Sequence, residues 1–145
     1  MKKALAVGAA ALMLLVGCGA PEPAQTVTAT TTVTATPTGH VEFVPDSLRD
    51  LRIGIGQAGL VCANWDEISE NAGQCDGGTL LSWFPNTPEG LALHKAAINL
   101  SLSAIISQGR TDVDMLVGPN WFARVSSDAA PILQNRIGGV ILGAA

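Results

Sequence analysis

The fold is decided most clearly by residues 87–109, which read TPEGLALHKAAINLSLSAIISQG. Thr87 suits the N-cap, because its hydroxyl can accept a hydrogen bond from a free amide of the first turn. Pro88 suits the first helical position, and Glu89 suits the positive end of the helix dipole. Gly109 suits the position just after a helix, where a left-handed backbone is common. The pattern predicts a helix that begins at Pro88 and ends before Gly109.

This helix carries apolar side chains on most of its circumference. Two apolar stripes follow the helical period, beside one narrow polar stripe. We therefore expect a helix that is buried on most sides. The apolar stripes are Leu91, Ile98, Leu102 and Ile105, and Leu93, Ala97, Leu100 and Ala104; the polar stripe is Lys95, Asn99 and Ser103.

Upstream of this helix, the sequence predicts another helix, a loop and a strand. Ser47 and Asp50 have the spacing of a capping box, and apolar residues follow on one helical face. Residues 63–78 are polar and contain glycine, which is typical of a loop. Residues 79–84 favour a strand that Pro85 ends. The apolar face of the helix is Leu48, Leu51, Ile55 and Ala58.

Downstream, the alternation of apolar residues predicts a strand from Met115, interrupted at Gly118-Pro119 and resumed at 121–125. A short helix follows over 127–137, and Val140 to Leu142 could add a short edge strand. The order helix, strand, helix, strand, helix predicts a small α+β domain, or a small α/β one. We expect a few-stranded sheet with about three helices stacked on one face.

The N-terminus has the pattern of a secretory signal peptide. Lys2 and Lys3 precede an apolar run from Ala4 to Val16, which is shorter than the roughly 20 residues that span a bilayer. The sequence Leu15-Val16-Gly17-Cys18 resembles the lipobox of bacterial lipoproteins. That resemblance implies cleavage before Cys18 and lipid on its thiol, and two or more acyl chains hold a protein firmly on a membrane. The alternatives are an ordinary signal peptide that leaves Cys18 as a thiol and an uncleaved single-span anchor.

These boundaries divide the chain into a signal peptide at 1–17, a lipidated cysteine with a stalk at 18–44, and a domain at 45–145. The stalk is rich in threonine and proline, and the sequence TVTAT occurs at 26–30 and again at 32–36. Alternating threonine and valine could pair as a strand, but the low complexity favours a linker. Its hydroxyls are candidate glycosylation acceptors.

Two cysteines, Cys62 and Cys75, remain once Cys18 carries lipid. An even number of cysteines in an exported domain indicates a disulfide. A redox pair is the alternative, but catalytic dithiols are usually separated by only two residues.

The charge of the chain argues against several partners. The formal net charge is −4, and removal of Lys2 and Lys3 with the signal leaves six basic against twelve acidic residues, or −6. Nucleic-acid binders concentrate lysine and arginine. We therefore expect no nucleic-acid partner, and no electrostatic adhesion to anionic lipid.

Several patterns could carry chemistry but lack the context for it. Gly54 to Gly59 reads G-x-G-x-x-G, yet the residues before it have a helical rather than a strand pattern. His40 and His94 have no partner at metal-ligand spacing, and no hydrolase motif occurs. We expect no cofactor, no metal and no catalytic residue. Four acidic residues lie in or beside the loop between the cysteines, and we interpret them as a solvated loop rather than a calcium site: Asp66, Glu67, Glu70 and Asp76.

Two Asn-Trp dipeptides form the candidate binding surface. They are Asn64-Trp65, between the cysteines, and Asn120-Trp121, after Gly118-Pro119. Tryptophan is enriched where proteins bind one another. The alternative for Trp121 is a strand kink with a buried tryptophan.

Seven residues carry a further resemblance: Gly59, Cys62, Cys75, Gly118, Asn120, Trp121 and Gly139. With them, residues 48–142 resemble a group of small uncharacterised actinobacterial secreted proteins and lipoproteins, a resemblance that implies no particular activity.

The sequence thus predicts a lipoprotein on the extracytoplasmic face of the cell membrane, with a non-enzymatic domain that binds an envelope or phage protein. Two alternatives stay open. One is a phage or prophage lipoprotein that acts in superinfection exclusion, and the other is an envelope hydrolase.

Overall fold

The structure is a computed structural model that describes residues 31–34, 42–75 and 78–144. It contains three helices, an antiparallel sheet and one disulfide bond. The predicted α+β class with about three helices and one disulfide is confirmed.

The elements in chain order are β1 (Thr31–Thr34), α1 (Leu48–Gln57), β2 (Trp65–Ser69), β3 (Ala72–Cys75), β4 (Leu80–Trp83), α2 (Pro88–Ser107), β5 (Val113–Val117), β6 (Trp121–Ser126), α3 (Ala129–Ile137) and β7 (Val140–Ala144). The order across the sheet is β1-β7-β5-β6-β4-β3-β2, and neighbouring strands are antiparallel. β1 and β2 are therefore its two edges.

The helices cover both faces of the sheet, so the prediction that they stack on one face is wrong. Successive residues of a strand face opposite sides. Leu81, Ala123 and Leu116 pair across three strands and belong to the core that α1 and α3 cover. Met115 and Phe122, one position away, belong to a second core that α2 covers. Each face is apolar because β5 and β6 place large side chains on both sides.

The glycine-rich stretch lies in and just after α1, which Ser47 caps as predicted. The Ser47 hydroxyl accepts a hydrogen bond from the amide of Asp50 at 3.1 Å. A Cβ at Gly54 would overlap the ring of Phe43, so this glycine permits close packing. Gly59 follows the helix with φ 104°. The G-x-G-x-x-G stretch therefore ends a helix, whereas a dinucleotide site needs it between a strand and the start of a helix.

α2 is less buried than its sequence predicts. Thr87 caps it as expected, since its hydroxyl accepts a hydrogen bond from the amide of Gly90 at 3.1 Å. His94 lies on the side that faces the sheet, whereas Leu93 and Leu100 are 60% and 74% exposed. Burial on most sides is thus wrong, because the described residues cover α2 from the sheet side. Among the described helices, α2 alone has the length and composition to cross a membrane.

The segment between the cysteines, predicted as a loop, forms a β-hairpin. β2 pairs with β3 from Trp65 opposite Cys75 to Ser69 opposite Ala72, with an irregularity between Glu67 and Ser69. Apart from half-buried Trp65, every residue of β2 is exposed. No alternation of apolar residues marks β2 in the sequence, because an exposed strand needs none.

The other edge of the sheet also differs from the prediction. β7 lies between β1 and β5, so it is not an edge strand. Thr31–Thr34 pairs with it, placing Val33 opposite Leu142. Four residues of the predicted 18–44 stalk thus belong to the sheet. For these four residues, the strand that alternating threonine and valine could form is the outcome, rather than the linker that we favoured.

A tight turn at residues 118–120 joins β5 to β6, where we predicted one interrupted strand. Val117 pairs with Phe122 directly across the turn. The side-chain amide of Asn120 donates to the carbonyls of Pro45 at 3.0 Å and Phe84 at 3.1 Å. The turn therefore holds both the chain that leads into α1 and the chain that leads into α2.

Replacing Asn120 by alanine should lower the free energy of unfolding by about 2 kcal/mol, because the buried carbonyl of Phe84 loses its donor. Urea unfolding followed by circular dichroism measures this. The matched control is Asn86→Ala at an exposed asparagine, which should change stability by less than about 0.5 kcal/mol. Equal effects of both changes would contradict a clamping role for Asn120.

His94 joins α2 to the same turn. Its Nε2 donates to the carbonyl of Trp121 at 3.1 Å, and its ring packs beside Phe84 and Phe122. Burial lowers the pKa of His94 below its ordinary value of 6.5, against the opposing effect of hydrogen bonds to the Trp121 and Pro119 carbonyls. The neutral ring is therefore the form that the fold favours.

The domain should lose stability as pH falls below 6.5, the ordinary pKa of histidine. The unfolded chain then takes up a proton that folded His94 resists, so the free energy of unfolding falls by at most about 1.4 kcal/mol per pH unit. Urea midpoints between pH 7.5 and 5 should show this loss in the wild type and in His40→Gln, but not in His94→Gln. Arg110 lowers the pKa of Asp112 below 3.8, so that carboxyl titrates outside this range.

Candidate functional site

Half of the predicted binding surface is buried. Asn120 and Trp121 are 1% and 0% exposed. The indole Nε1 of Trp121 donates to the carbonyl of Phe43 at 2.8 Å, and the two rings meet edge to face. Presentation of Asn120 and Trp121 to a partner is therefore wrong, since both side chains join core elements to one another. The buried-tryptophan alternative describes Trp121.

The other half lies at the surface. Asn64 is exposed and Trp65 is half-buried, at the point where β2 begins. Trp65 packs against the edge of the core that contains Trp121. The structure thus places both tryptophans on the same side of the sheet, but only Asn64 and Trp65 remain candidates for contact with a partner.

Trp65 forms part of a groove of about 540 Å³ between α1 and the β2–β3 hairpin. Its size falls within the range of small-ligand sites, about 300–1,000 Å³. The exposed side of α1 supplies one wall, and the hairpin supplies the other. The residues used below are Arg49, Arg52 and Ile53 on α1, and Trp65, Glu67 and Glu70 on the hairpin.

Close packing fixes the indole of Trp65. Its ring lies over Gly73 of β3, where a Cβ would overlap it. The Arg52 guanidinium carbon lies 5.2 Å from the centre of the indole ring, within the range of a cation–π interaction. The ring therefore contacts both a glycine of the sheet and an arginine of α1, and Trp65 also lines the groove.

Charges of opposite sign line the two walls. Arg49 and Arg52 lie on α1, and Glu67 and Glu70 lie on the hairpin. In the described part of the chain, no ion pair within 4.0 Å joins any of these four side chains. The groove therefore offers two cations and two carboxylates to a charged ligand.

The disulfide holds the hairpin wall in place. Cys75 pairs with Trp65 across the ladder, and Cys62 is bonded to Cys75. The disulfide thus attaches the segment just before β2 to the end of β3. Closing a loop of this length stabilises a fold by about 3 kcal/mol on the chain-entropy model.

The residues that could carry chemistry lie apart. His94 is buried on the side of α2 that faces the sheet, and α2 covers the face of the sheet opposite to the groove. Ser47 lines the groove, but its hydroxyl caps α1. Within the described ranges, no three His, Cys, Asp or Glu residues form a group that could hold a metal ion. Asp76, which we counted with the acidic residues, lies outside them.

Sequence reasoning missed both arginines of the groove. Arg49 and Arg52 are three residues apart and share one side of α1, which was the available signal. An exposed charged face is ordinary in a surface helix. It becomes part of a site only because the hairpin, which we predicted as a loop, stands opposite.

Comparison with protein-family models, with curated proteins and with solved structures found no match to this chain. The actinobacterial resemblance therefore stays a prediction. The lipobox, Cys18, the signal peptide and most of the stalk lie outside the described residues, so these assignments also stay predictions.

Replacing Gly73 by alanine should displace the Trp65 indole, because the added Cβ overlaps the ring. We expect a loss of about 1–3 kcal/mol in the free energy of unfolding, as for other overpacked sites, and a change in tryptophan fluorescence. The control is Gly56→Ala, where a Cβ would meet no heavy atom within 4 Å. That variant should be as stable as the wild type or slightly more stable. Unchanged fluorescence in Gly73→Ala would contradict the close packing.

Proposed function

We propose that this chain is an exported lipoprotein, anchored through lipid on Cys18 to the extracytoplasmic face of the cell membrane, and that its domain is a non-enzymatic binding module of the cell envelope. The lipobox sequence supports the anchor. The disulfide supports export, since such bonds persist in oxidising compartments. The module binds a protein partner through the groove between α1 and the hairpin.

The observation that carries this proposal is the held but accessible indole of Trp65. A rigid aromatic surface loses little side-chain entropy on binding. Arg52 stacks on it, and arginine and tryptophan are the residue types most enriched among binding hot spots. The charges of the two walls, which form no ion pair with one another, add electrostatic selectivity for one partner over others.

The arrangement of the described residues favours binding over catalysis. Nucleophilic catalysis needs a nucleophile within hydrogen-bond reach of a base. The groove hydroxyl of Ser47 is engaged twice in the cap of α1, because it accepts a hydrogen bond from the amide of Asp50 and donates one to the carboxylate of the same residue at 2.8 Å. His94, the histidine of the described domain, belongs to α2, and its ring packs beside two phenylalanines on the side that faces the sheet.

Site-specific photo-crosslinking in bacteria tests this proposal. Ile53 of the groove wall is 47% exposed, and Ile132 of α3 is 54% exposed. A photo-crosslinking amino acid at position 53 should capture one reproducible envelope or phage protein, whereas the same amino acid at 132 should not. Trp65→Ala should reduce the capture at least tenfold, because the indole supplies the central contact. The identity of the captured protein separates an envelope role from phage exclusion.

The anchor is tested in the same cells. Mass spectrometry of the membrane fraction should find acyl chains on Cys18, and Cys18→Ala should release the protein from the membrane and abolish capture. Capture that is equal at positions 53 and 132, or absent at both, would refute the groove as a binding site.

A further inference from the structure

β2 is the last strand on its side of the sheet. The register of β3 decides which residues of β2 turn their backbone groups outward. The amide of Cys75 donates to the carbonyl of Thr79 at 2.8 Å, on the β4 side. Because alternate residues of an antiparallel strand bond to opposite neighbours, Gln74 bonds to β2.

Gln74 lies opposite Asp66. Asp66 therefore bonds to β3, and the residues on either side, Trp65 and Glu67, direct their amides and carbonyls away from the sheet. No other strand of the described chain pairs with them. Two donors and two acceptors, repeated at about 6.8 Å, are what an added strand needs for pairing.

We infer that this edge takes up an extended, basic segment of another protein as an additional strand. The inference rests on the proposed function and names the class of partner for the same site. Trp65 and Glu67 carry both parts of the recognition: their backbone groups pair with the segment, and their side chains line the groove.

Charge decides that the segment is basic. Glu67 and Glu70 lie on the hairpin, the wall that an added strand would extend, whereas Arg49 and Arg52 lie on α1 across the groove. Asp66 points to the opposite face because side chains alternate along a strand. None of the three carboxylates has an ion-pair partner within 4.0 Å in the described ranges. Side chains of an added strand stand about 5 Å from those of its neighbour, so lysine or arginine at these positions is favoured on both faces.

The same charges argue against a second copy of this chain as the occupant. Pairing of two β2 strands would bring the carboxylates of Asp66 and Glu67 close to their equivalents, and opposed like charges destabilise a strand pair. The net charge of −6 after removal of the signal adds repulsion between copies. Acidic side chains on an edge strand protect against such self-association and leave the edge open to a basic partner.

The groove receives the alternate side chains of the segment. Those that pair with Trp65 and Glu67 point toward α1, as the side chains of Trp65 and Glu67 do. The indole and the exposed side chain of Ile53 offer them an apolar surface. An aliphatic residue beside Trp65 and a basic residue beside Glu67 is therefore the pattern that fits this edge.

A peptide-binding measurement on the full chain, purified in detergent, tests the inference. The probe is a fluorescent, end-capped decapeptide with Val-Lys-Lys-Val at its centre and threonine on either side, so that valine pairs with Trp65 and lysine pairs with Asp66 and Glu67 in either strand direction. Its control carries the same side chains with an N-methyl group on every residue, which removes the backbone donors of both edges. We expect the unmethylated peptide to bind at least tenfold more tightly, by fluorescence anisotropy at low salt.

Two substitutions at one position separate the backbone from the charge. Glu67→Pro removes the outward amide and the carboxylate together, whereas Glu67→Gln removes the charge alone. We expect Glu67→Gln to weaken binding severalfold and Glu67→Pro to weaken it at least tenfold beyond that. Circular dichroism checks the fold of both variants, and the methylated control keeps the test valid should Glu67→Pro unfold.

The outcomes separate this inference from the proposed function. Equal binding of the two peptides would mean charge attraction alone and would overturn strand addition. Binding of neither, with capture at position 53 intact, would overturn strand addition and leave the binding module standing. Concentration-dependent dimers that Glu67→Pro abolishes would make a second copy the occupant and would also overturn the inference.

Discussion

The structure depends on one polar clamp, the side chain of Asn120 in the turn between β5 and β6. Its amide group donates to the carbonyls of Pro45 and Phe84, two positions far from it in the chain. The indole of Trp83 donates to the same Pro45 carbonyl at 2.9 Å. Buried carbonyls need donors, so these bonds fix where the chain enters α1 and where it leaves β4. The turn thereby sets the positions of two helices on opposite faces of the sheet.

The groove follows from two anchors that are separate in the chain. The clamp places the start of α1, and Ser47 caps that helix, so Arg49 and Arg52 face the hairpin. The disulfide at Cys75 fixes the opposite wall. A site between two independently held walls keeps its shape before a ligand arrives, which lowers the entropy lost on binding.

The groove and the open edge of β2 are one continuous surface. Trp65 and Glu67 belong to both, through their side chains and their outward backbone groups. In the strand addition that we propose, main-chain pairing supplies affinity and alternate side chains supply selectivity. The lipid anchor that we propose would keep this surface near the membrane, among the proteins of the envelope.

The sequence by itself determined what depends on nearby residues. The caps at Ser47 and Thr87 and the bounds of the helices are encoded within a few positions, because capping bonds span three residues. The disulfide followed from counting cysteines. Only the tertiary structure decided that Trp121 is core whereas Trp65 borders a groove, since identical Asn-Trp dipeptides differ only in what the rest of the chain places against them. The tertiary structure also decided the hairpin that begins at Trp65. Its stability comes from pairing with distant strands and from the disulfide rather than from its own apolar pattern.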